Sequence, residues 1–479
     1  MSSLQPIDAF VGRDAELALL RRELARVKRT GRGAMLSIRG RRRVGKSRLV
    51  QELVSRARAA SVYYTAIQGP GDVELRRFLE AVAGADVPAS EEVRRGTTAE
   101  TWEAALALAA TGATRRSPIV LIVDELPYLT AKEPTIEAVL QLVWDRVLQS
   151  APVLVLLVGS DRATMEALTE EGRPLYDRAR SMVVRPLDPA TVGEMLALDA
   201  ADALDAYTVI GGFPVLALEW ERGRTLQEYL AEALTDPSSF LVISAERALA
   251  AELPADLQAR AVLSAIGSSA RAHKTILARS GLSQTSLDRA LDVLSSKGIV
   301  DRLTPYSARL SPKNRQYVVA DPYLRFWLRF IGPSIDLIDR GRGNVVVDTV
   351  TRDWPTFRGR AVEPTIREAI EHALPDRRFG SARHVGAFWN RTSTVEVDLV
   401  GGDATPYAKA LAFVGSVKWR EGQPFDRTDT AALANQRPSV PGATTTTALV
   451  GVSRNGFADD AGLDLQLTPE DVLAFHRQR

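Results

Sequence analysis

An α/β chain built around a parallel, doubly wound sheet is what this 479-residue sequence predicts. Three observations carry that prediction. The octapeptide Gly40-Arg41-Arg42-Arg43-Val44-Gly45-Lys46-Ser47 fits the pattern G-x-x-x-x-G-K-[ST] at every fixed position. It lies between a strand-like run, Ala34 to Ile38, and an amphipathic helical run, Ser47 to Ala57, with Leu49, Val50 and Leu53 on one face. Two further runs, Pro118 to Val123 and Val153 to Val158, are apolar throughout, as strands covered on both faces must be. Strands near 34–39, 61–67, 118–123, 153–158 and 181–185 therefore alternate with helices over residues 1–188.

Taken in order, Phe10-Val11-Gly12-Arg13 opens the segment, and Leu17, Leu20, Leu24 and Val27 then keep helical spacing. In the octapeptide, Gly40 and Gly45 let the backbone curl so that successive N–H groups point at phosphate oxygens. Lys46 is placed to reach the β- and γ-phosphates of a nucleoside triphosphate, and the Ser47 hydroxyl to complete the shell of a Mg²⁺ ion. The helix that opens there adds the positive end of its dipole. The nucleotide-binding set is thus Gly40, Arg41, Arg42, Arg43, Val44, Gly45, Lys46, Ser47 and Arg48, with Val11 from the opening segment. The run that ends at Val123 leads into Asp124-Glu125. Asp124 is expected to hold the metal through its waters and Glu125 to orient the attacking water, because phosphoryl transfer is mostly positioning and charge stabilisation. The run 153–158 ends in Gly159-Ser160-Asp161, which offers Ser160 either as a polar sensor near the γ-phosphate or as an ordinary strand end.

Composition narrows the remaining classes. With 61 basic and 59 acidic residues the formal charge is +2, which argues neither for nor against a polyanionic partner. The absence of cysteine excludes disulfides, thiolate zinc sites and a cysteine nucleophile. His273, His372, His384 and His476 are too scattered along the chain to suggest a metal cluster. The apolar runs are too short to span a membrane, and the N-terminus lacks the order of a signal peptide, so a cytoplasmic location is expected.

Three segments follow. Residues 189–250 read as helical, interrupted at Gly211-Gly212-Phe213-Pro214. Residues 251–340 contain a winged helix-turn-helix pattern: a short helix from Thr275 to Arg279, a turn at Gly281-Leu282-Ser283, and a second helix with Leu287, Ala290, Leu291 and Leu294 on one face. Lys297-Gly298-Ile299-Val300 then closes that helix and enters a strand pair, 299–304 and 315–320. From Arg271 to Arg315 there are nine Lys or Arg against three Asp, a footprint suited to a phosphate backbone. Gln284, Thr285, Ser286 and Arg289 are the residues available to base edges; a module that only packs against other protein is the alternative. The aromatic stretch Tyr323 to Phe330 reads as core. Residues 341–479 read as mixed α/β, with strands near 383–388, 394–400 and 411–417 and a strand starting in Thr444 to Thr447.

The order of Phe10-Val11-Gly12-Arg13, the phosphate loop, Asp124-Glu125, Pro174-Leu175-Tyr176-Asp177-Arg178 and Gly211-Gly212-Phe213-Pro214 resembles the archaeal-type ATPase family, a branch of the AAA+ and STAND-related P-loop NTPases. The resemblance covers residues 8 to about 340. It implies ATP as the nucleotide. It also implies that Arg178 contacts the phosphates and supplies charge in the transition state, with a surface salt bridge as the alternative, and that Pro214 docks the helical segment on the nucleotide.

Many members of that family carry a C-terminal restriction-endonuclease-like domain of the PD-(D/E)xK type, and residues 341–479 look like one. The resemblance carries a metal-binding and catalytic set onto Glu363, Asp398 and Lys418, with the lysine orienting water at a scissile phosphate. The glutamate of the E-x-K motif is missing, because position 416 is Ser. A neutral hydroxyl is a weak Mg²⁺ ligand, so the site loses a charge and a strong donor. Glu396 joins Asp398 on one face of its strand only if no bulge intervenes. Two readings stay open: an ATPase that acts on DNA through the winged helix and C-terminal domain, and an ATP-dependent switch or regulator that cleaves nothing.

Overall fold

Five stretches rich in Val, Ile, Leu and Ala form the first sheet: β1 (Ala34–Arg39), β2 (Ala60–Thr65), β3 (Ile119–Asp124), β4 (Val153–Gly159) and β5 (Ala179–Val183). The structure, a computed structural model, describes residues 10–253, 258–307, 314–392, 394–405 and 407–478. Arg309 and Lys313 of the basic footprint, and the first nine residues, lie outside that description. Every pairing in the sheet is parallel, in the order β2-β3-β4-β1-β5. β3 and β4 are buried along their whole length, which explains why they carry no polar alternation.

Two strand ends differ from the sequence reading. β2 stops at Thr65 rather than 67, because the Ala66 N–H turns to the Asp124 carbonyl (3.0 Å) and the Glu74 carboxylate takes the N–H groups of Ile67 and Gly69 (3.1 and 2.6 Å). β5 runs over 179–183 rather than 181–185, set by pairing with β1 from Met35↔Ala179 to Arg39↔Val183. One sheet face presents Val62, Tyr64, Leu121, Val123, Val155 and Leu157 to helices carrying Phe78, Trp102 and Leu140. The rings of Tyr64, Phe78 and Trp102 meet there with centroids 5.4–5.9 Å apart.

The chain divides into two units, Met1–Pro186 and Leu187–Arg479. The second opens with helices Pro189–Leu196, Ala200–Ile210, Pro214–Glu219, Leu226–Ala233 and Phe240–Glu252. Gly211 breaks the second of these at φ 57°, in the left-handed region. Next come helix Ala259–Ile266, β6 (Arg271–Ala272), helices His273–Ser280 and Gln284–Ser296, then β7 (Val300–Leu303) and β8 (Gln316–Val319), paired antiparallel in the order β6-β8-β7. Ser283 caps the second helix by accepting the Ser286 N–H (3.2 Å), and Leu287, Ala290, Leu291 and Leu294 are its buried face. The aromatic stretch from Tyr323 is buried, with the Phe357 ring edge to face with both Phe326 and Phe330, which are tilted against each other.

The last sheet contains β9 (His384–Trp389), β10 (Glu396–Gly402), β11 (Leu411–Lys418), β12 (Ala448–Ser453) and β13 (Leu465–Leu467), ordered β13-β12-β11-β10-β9. β9 to β11 pair antiparallel and β11 to β13 parallel. Thr444 to Thr447 do not begin β12. They close a turn in which the Thr447 N–H meets the Thr444 carbonyl (3.1 Å) and the threonine hydroxyls bond one another, the local competition that draws such residues out of strands. The sheet's core includes Ile366, Phe413 and Phe475 and extends to Ala190, Ala203 and Leu204 of the first helices of this unit.

Candidate functional site

Because β4 inserts between β1 and β3, the parallel sheet presents the ends of these three strands side by side, the edge at which open α/β sheets take ligands. The loop after β1 is shaped by contacts that need its particular residues. A Cβ on Gly40 would stand 2.2 Å from the Val184 carbonyl oxygen, so only glycine fits. Gly45 holds φ 93° immediately before helix Lys46–Ala57. The Lys46 ammonium donates to the carbonyls of Gly40 and Arg41 (2.9 and 3.0 Å), which holds the side chain along the loop. Buried Arg13 donates to the Val44 carbonyl (2.8 Å) and ties the opening segment to the loop.

Two carboxylates end β3 with separate partners. Oδ2 of Asp124 accepts the Ser47 hydroxyl at 2.7 Å and the Tyr63 hydroxyl at 2.6 Å, and Oδ1 accepts the Glu125 N–H at 3.0 Å. Glu125 itself sits at φ 54°, a region non-glycine residues seldom adopt, and its Oε2 accepts the Ser160 hydroxyl at 2.9 Å. The inserted position of β4 puts Ser160 beside that glutamate. A hydroxyl and a carboxylate already in contact at the mouth of the loop form the hard-oxygen pair a Mg²⁺ ion takes, so Ser47 and Asp124 fit that ion.

The other expected residues have the following surroundings. Arg178 gives Nε and Nη2 to the Asp145 carboxylate (2.9 and 2.8 Å), and this pairing lowers the Asp145 pKa and raises that of Arg178. Arg48 is exposed and faces Glu52 at 3.6 Å. Arg42 approaches the Tyr128 hydroxyl at 3.5 Å, and Val11 is half-buried. Pro214, in the second unit, opens helix Pro214–Glu219 after Phe213, whose ring meets Tyr323 at 6.2 Å.

In the last sheet, Asp398 is committed to its own fold: Oδ2 accepts the Ser416 hydroxyl (3.0 Å) and the Val417 N–H (2.8 Å). Glu363 heads helix Glu363–Ala373 with Arg367 at 3.6 Å. Burial first, and the Asp398 charge second, push its pKa up to about 8. Arg367 also donates to the Asp398 backbone carbonyl at 3.0 Å, so one guanidinium serves both residues. Lys418 turns to Asp429 at 3.6 Å, where Arg420 also binds. Glu396 is exposed, and the register of β10 on β9 shifts between Val397 and Val400, the irregularity that breaks simple alternation. His372 and His476, far apart in sequence, are in ring contact (5.6 Å). Among the described residues no group of three or more His, Cys, Asp or Glu could hold a metal ion. None of their helices is long and apolar enough to cross a membrane.

Tyr63 is the site residue that sequence reasoning missed. Its contact with Asp124 depends on β2 lying beside β3, and strand order is not written in any local pattern.

Loop, carboxylate pair and sheet order together define a P-loop nucleoside triphosphatase fold. A family model described as an ATPase domain predominantly from Archaea matches residues 10–216. A second model, of archaeal and bacterial proteins of unknown function, matches residues 327–432. An uncharacterized protein of Methanocaldococcus jannaschii is 23% identical over 416 residues, covering 86% of this chain and 88% of the relative. Among solved structures, a Walker-type ATPase of Pyrococcus abyssi is similar over 68% of this chain and 99% of its own (17% identity, TM-score 0.44). The ORC2 protein of Aeropyrum pernix, in ADPNP–ADP complexes, is similar over 73% and 98% (14% identity, TM-score 0.46).

Proposed function

We propose that this chain is an ATP-hydrolysing switch that contacts DNA and does not cut it. The observation that carries the proposal is the pair of carboxylates at the end of β3, one hydrogen-bonded to the phosphate-loop serine and the other to Ser160. Ser47 and Asp124 would hold Mg²⁺, which neutralises developing charge on the phosphates. Lys46 binds the β- and γ-phosphates. Glu125 accepts a hydrogen bond from the attacking water and turns its lone pair toward the γ-phosphorus, with Ser160 fixing the carboxylate until that water arrives. The choice of ATP rests on the match of residues 10–216 to the ATPase-domain model.

We assign DNA contact to the winged-helix segment. Gln284 and Thr285 are exposed at the start of helix Gln284–Ser296, and Lys274 and Arg279 are exposed on the helix before it. The guanidinium of Arg271 has its pKa lowered by burial and then by the charges of Arg279 and Arg360, and its buried Nε has no hydrogen-bond partner. Cations gathered in this way are stabilised by an anion, and a phosphate backbone supplies a row of them. The C-terminal domain is read as non-cleaving, because Asp398 is spent on Ser416 and Val417 and Lys418 is drawn to Asp429.

The test is ATP hydrolysis by the purified chain with and without Mg²⁺, in the presence of linear and supercoiled DNA that is then run on a gel. Mg²⁺-dependent turnover, lost in Lys46→Ala, with retarded but intact DNA supports the proposal. A second reading, a nuclease gated by ATP, is favoured by Arg367, which pairs with Glu363 at 3.6 Å and donates to the Asp398 carbonyl at 3.0 Å, linking two of the three residues of the nuclease-like set. Mg²⁺-dependent cleavage that disappears in Lys418→Ala would establish it instead.

A further inference from the structure

Two neighbouring tyrosines on β2 have opposite surroundings. Tyr64 points into the core and donates to Glu74 at 2.5 Å. Tyr63 points to the other face. The register of β2 on β3 sets Tyr63 beside Ile122 and Thr65 beside Asp124, so Tyr63 and Asp124 are diagonal neighbours, a separation that a tyrosine spans. Its hydroxyl reaches Oδ2 of Asp124 at 2.6 Å, the same oxygen that accepts from Ser47 at 2.7 Å.

Asp124 is only 4% exposed, so its charge is stabilised by these donors and the Glu125 N–H rather than by bulk water. Two hydroxyls on one oxygen and an N–H on the other fix rotation about the last side-chain bond of Asp124. A phenol keeps its proton at neutral pH, so the Tyr63 hydroxyl acts as a donor to the carboxylate.

We infer that Tyr63 is a positioning residue for the metal of the metal–nucleotide complex, holding Asp124 in the orientation in which its carboxylate and the Ser47 hydroxyl serve one ion. This rests on the nucleotide-site reading above. Partners that orient a metal ligand are typically worth about 10- to 100-fold in metal affinity. Without Tyr63 the carboxylate keeps the Ser47 hydroxyl and the Glu125 N–H, and since Ser47 itself turns to the ion, more of the ordering falls on the binding step.

The experiment needs no turnover. A fluorescent ATP derivative is titrated into the full-length chain in EDTA and in Mg²⁺, and the ratio of the two dissociation constants gives the enhancement due to the metal. Tyr63→Phe should leave affinity in EDTA unchanged and reduce the enhancement about tenfold. Tyr64→Phe, which removes a buried hydroxyl from the same strand without touching Asp124, should keep the enhancement. Full enhancement in Tyr63→Phe overturns the inference. So does equal loss in both buffers, the mark of a merely structural role. A wild-type chain that binds nucleotide in neither buffer overturns the nucleotide-site reading instead.

Discussion

Trp419 donates its indole N–H to Oδ1 of Asp205 at 2.7 Å, joining the residue just after β11 to helix Ala200–Ile210. The other oxygen of that carboxylate meets Arg454 (3.0 Å) and Arg358 (3.4 Å), and Arg358 also pairs with Glu421. Arg358 is 2% exposed, an unusual place for a guanidinium. Desolvation raises the Asp205 pKa, and the charges of Arg454 and Arg358 work against that rise.

Removing the shared carboxylate should therefore do more harm than losing one surface pair. Asp205→Ala removes the buried carboxylate shared by Arg358 and Arg454, leaves Arg358 with the exposed Glu421 as counter-charge, and is expected to cost about 3–5 kcal/mol. Urea unfolding followed by tryptophan fluorescence measures it. A loss below about 1 kcal/mol would mean that Glu421 alone satisfies Arg358.

Glu125→Gln should retain nucleotide binding and slow hydrolysis about 100-fold or more, because the neutral amide no longer accepts the water's proton density as a carboxylate does. Ser160→Ala should slow it less, since it frees the Glu125 carboxylate without removing it. Steady-state phosphate release compared with equilibrium nucleotide binding separates the two effects. Hydrolysis at the wild-type rate in Glu125→Gln would assign the water to another residue.

His476 gives the fold an acid-sensitive point. Burial lowers its pKa from 6.5 to about 4, His372 adds to that lowering, and Glu368, Asp188 and the Thr365 carbonyl oppose it. A depressed folded-state pKa means that the contribution to stability is present above about pH 6.5 and is lost as pH falls toward 4. His476→Gln, which does not titrate, should be less stable than wild type at pH 7. Between pH 7 and pH 4 the gap should narrow by up to about 3 kcal/mol. Urea midpoints at the two pH values test this, and a constant gap would refute it.

Binding to DNA should depend steeply on salt. Lys274→Ala combined with Arg279→Ala is expected to weaken binding to unrelated sequences alike and to reduce the slope of log K against log salt by about 2. Fluorescence anisotropy at several KCl concentrations gives that slope. An unchanged slope would exclude both residues from phosphate contact.

The parts that were legible in the sequence are those with local causes. The run from Ala34 to Ala57 determines its strand, loop and helix within itself, and the apolar runs to Val123 and Val158 could only be interior strands. What was not legible depends on which strand lies beside which. Ser47 and Asp124 are 77 positions apart, yet the motif supplied both of them. Tyr63, 61 positions from Asp124, belongs to no motif and was invisible. Ser416 was visible as a missing acid, but not as the donor that occupies Asp398. Thr444 to Thr447 were misread because β-propensity ignores the hydrogen bonds that threonine hydroxyls make with one another.

The contacts on Asp205 also bear on the order of events in folding. Its partners are 153, 214 and 249 positions away along the chain. Each contact requires a very long loop to close, an entropic cost that local helices and hairpins avoid. On that ground the cluster is expected to assemble after the rate-limiting step of folding. Weakening it should speed escape from the native state and leave the refolding rate nearly unchanged. On this expectation Asp205 would act as a latch on the native state, governing the lifetime of the folded second unit more than the speed with which it forms.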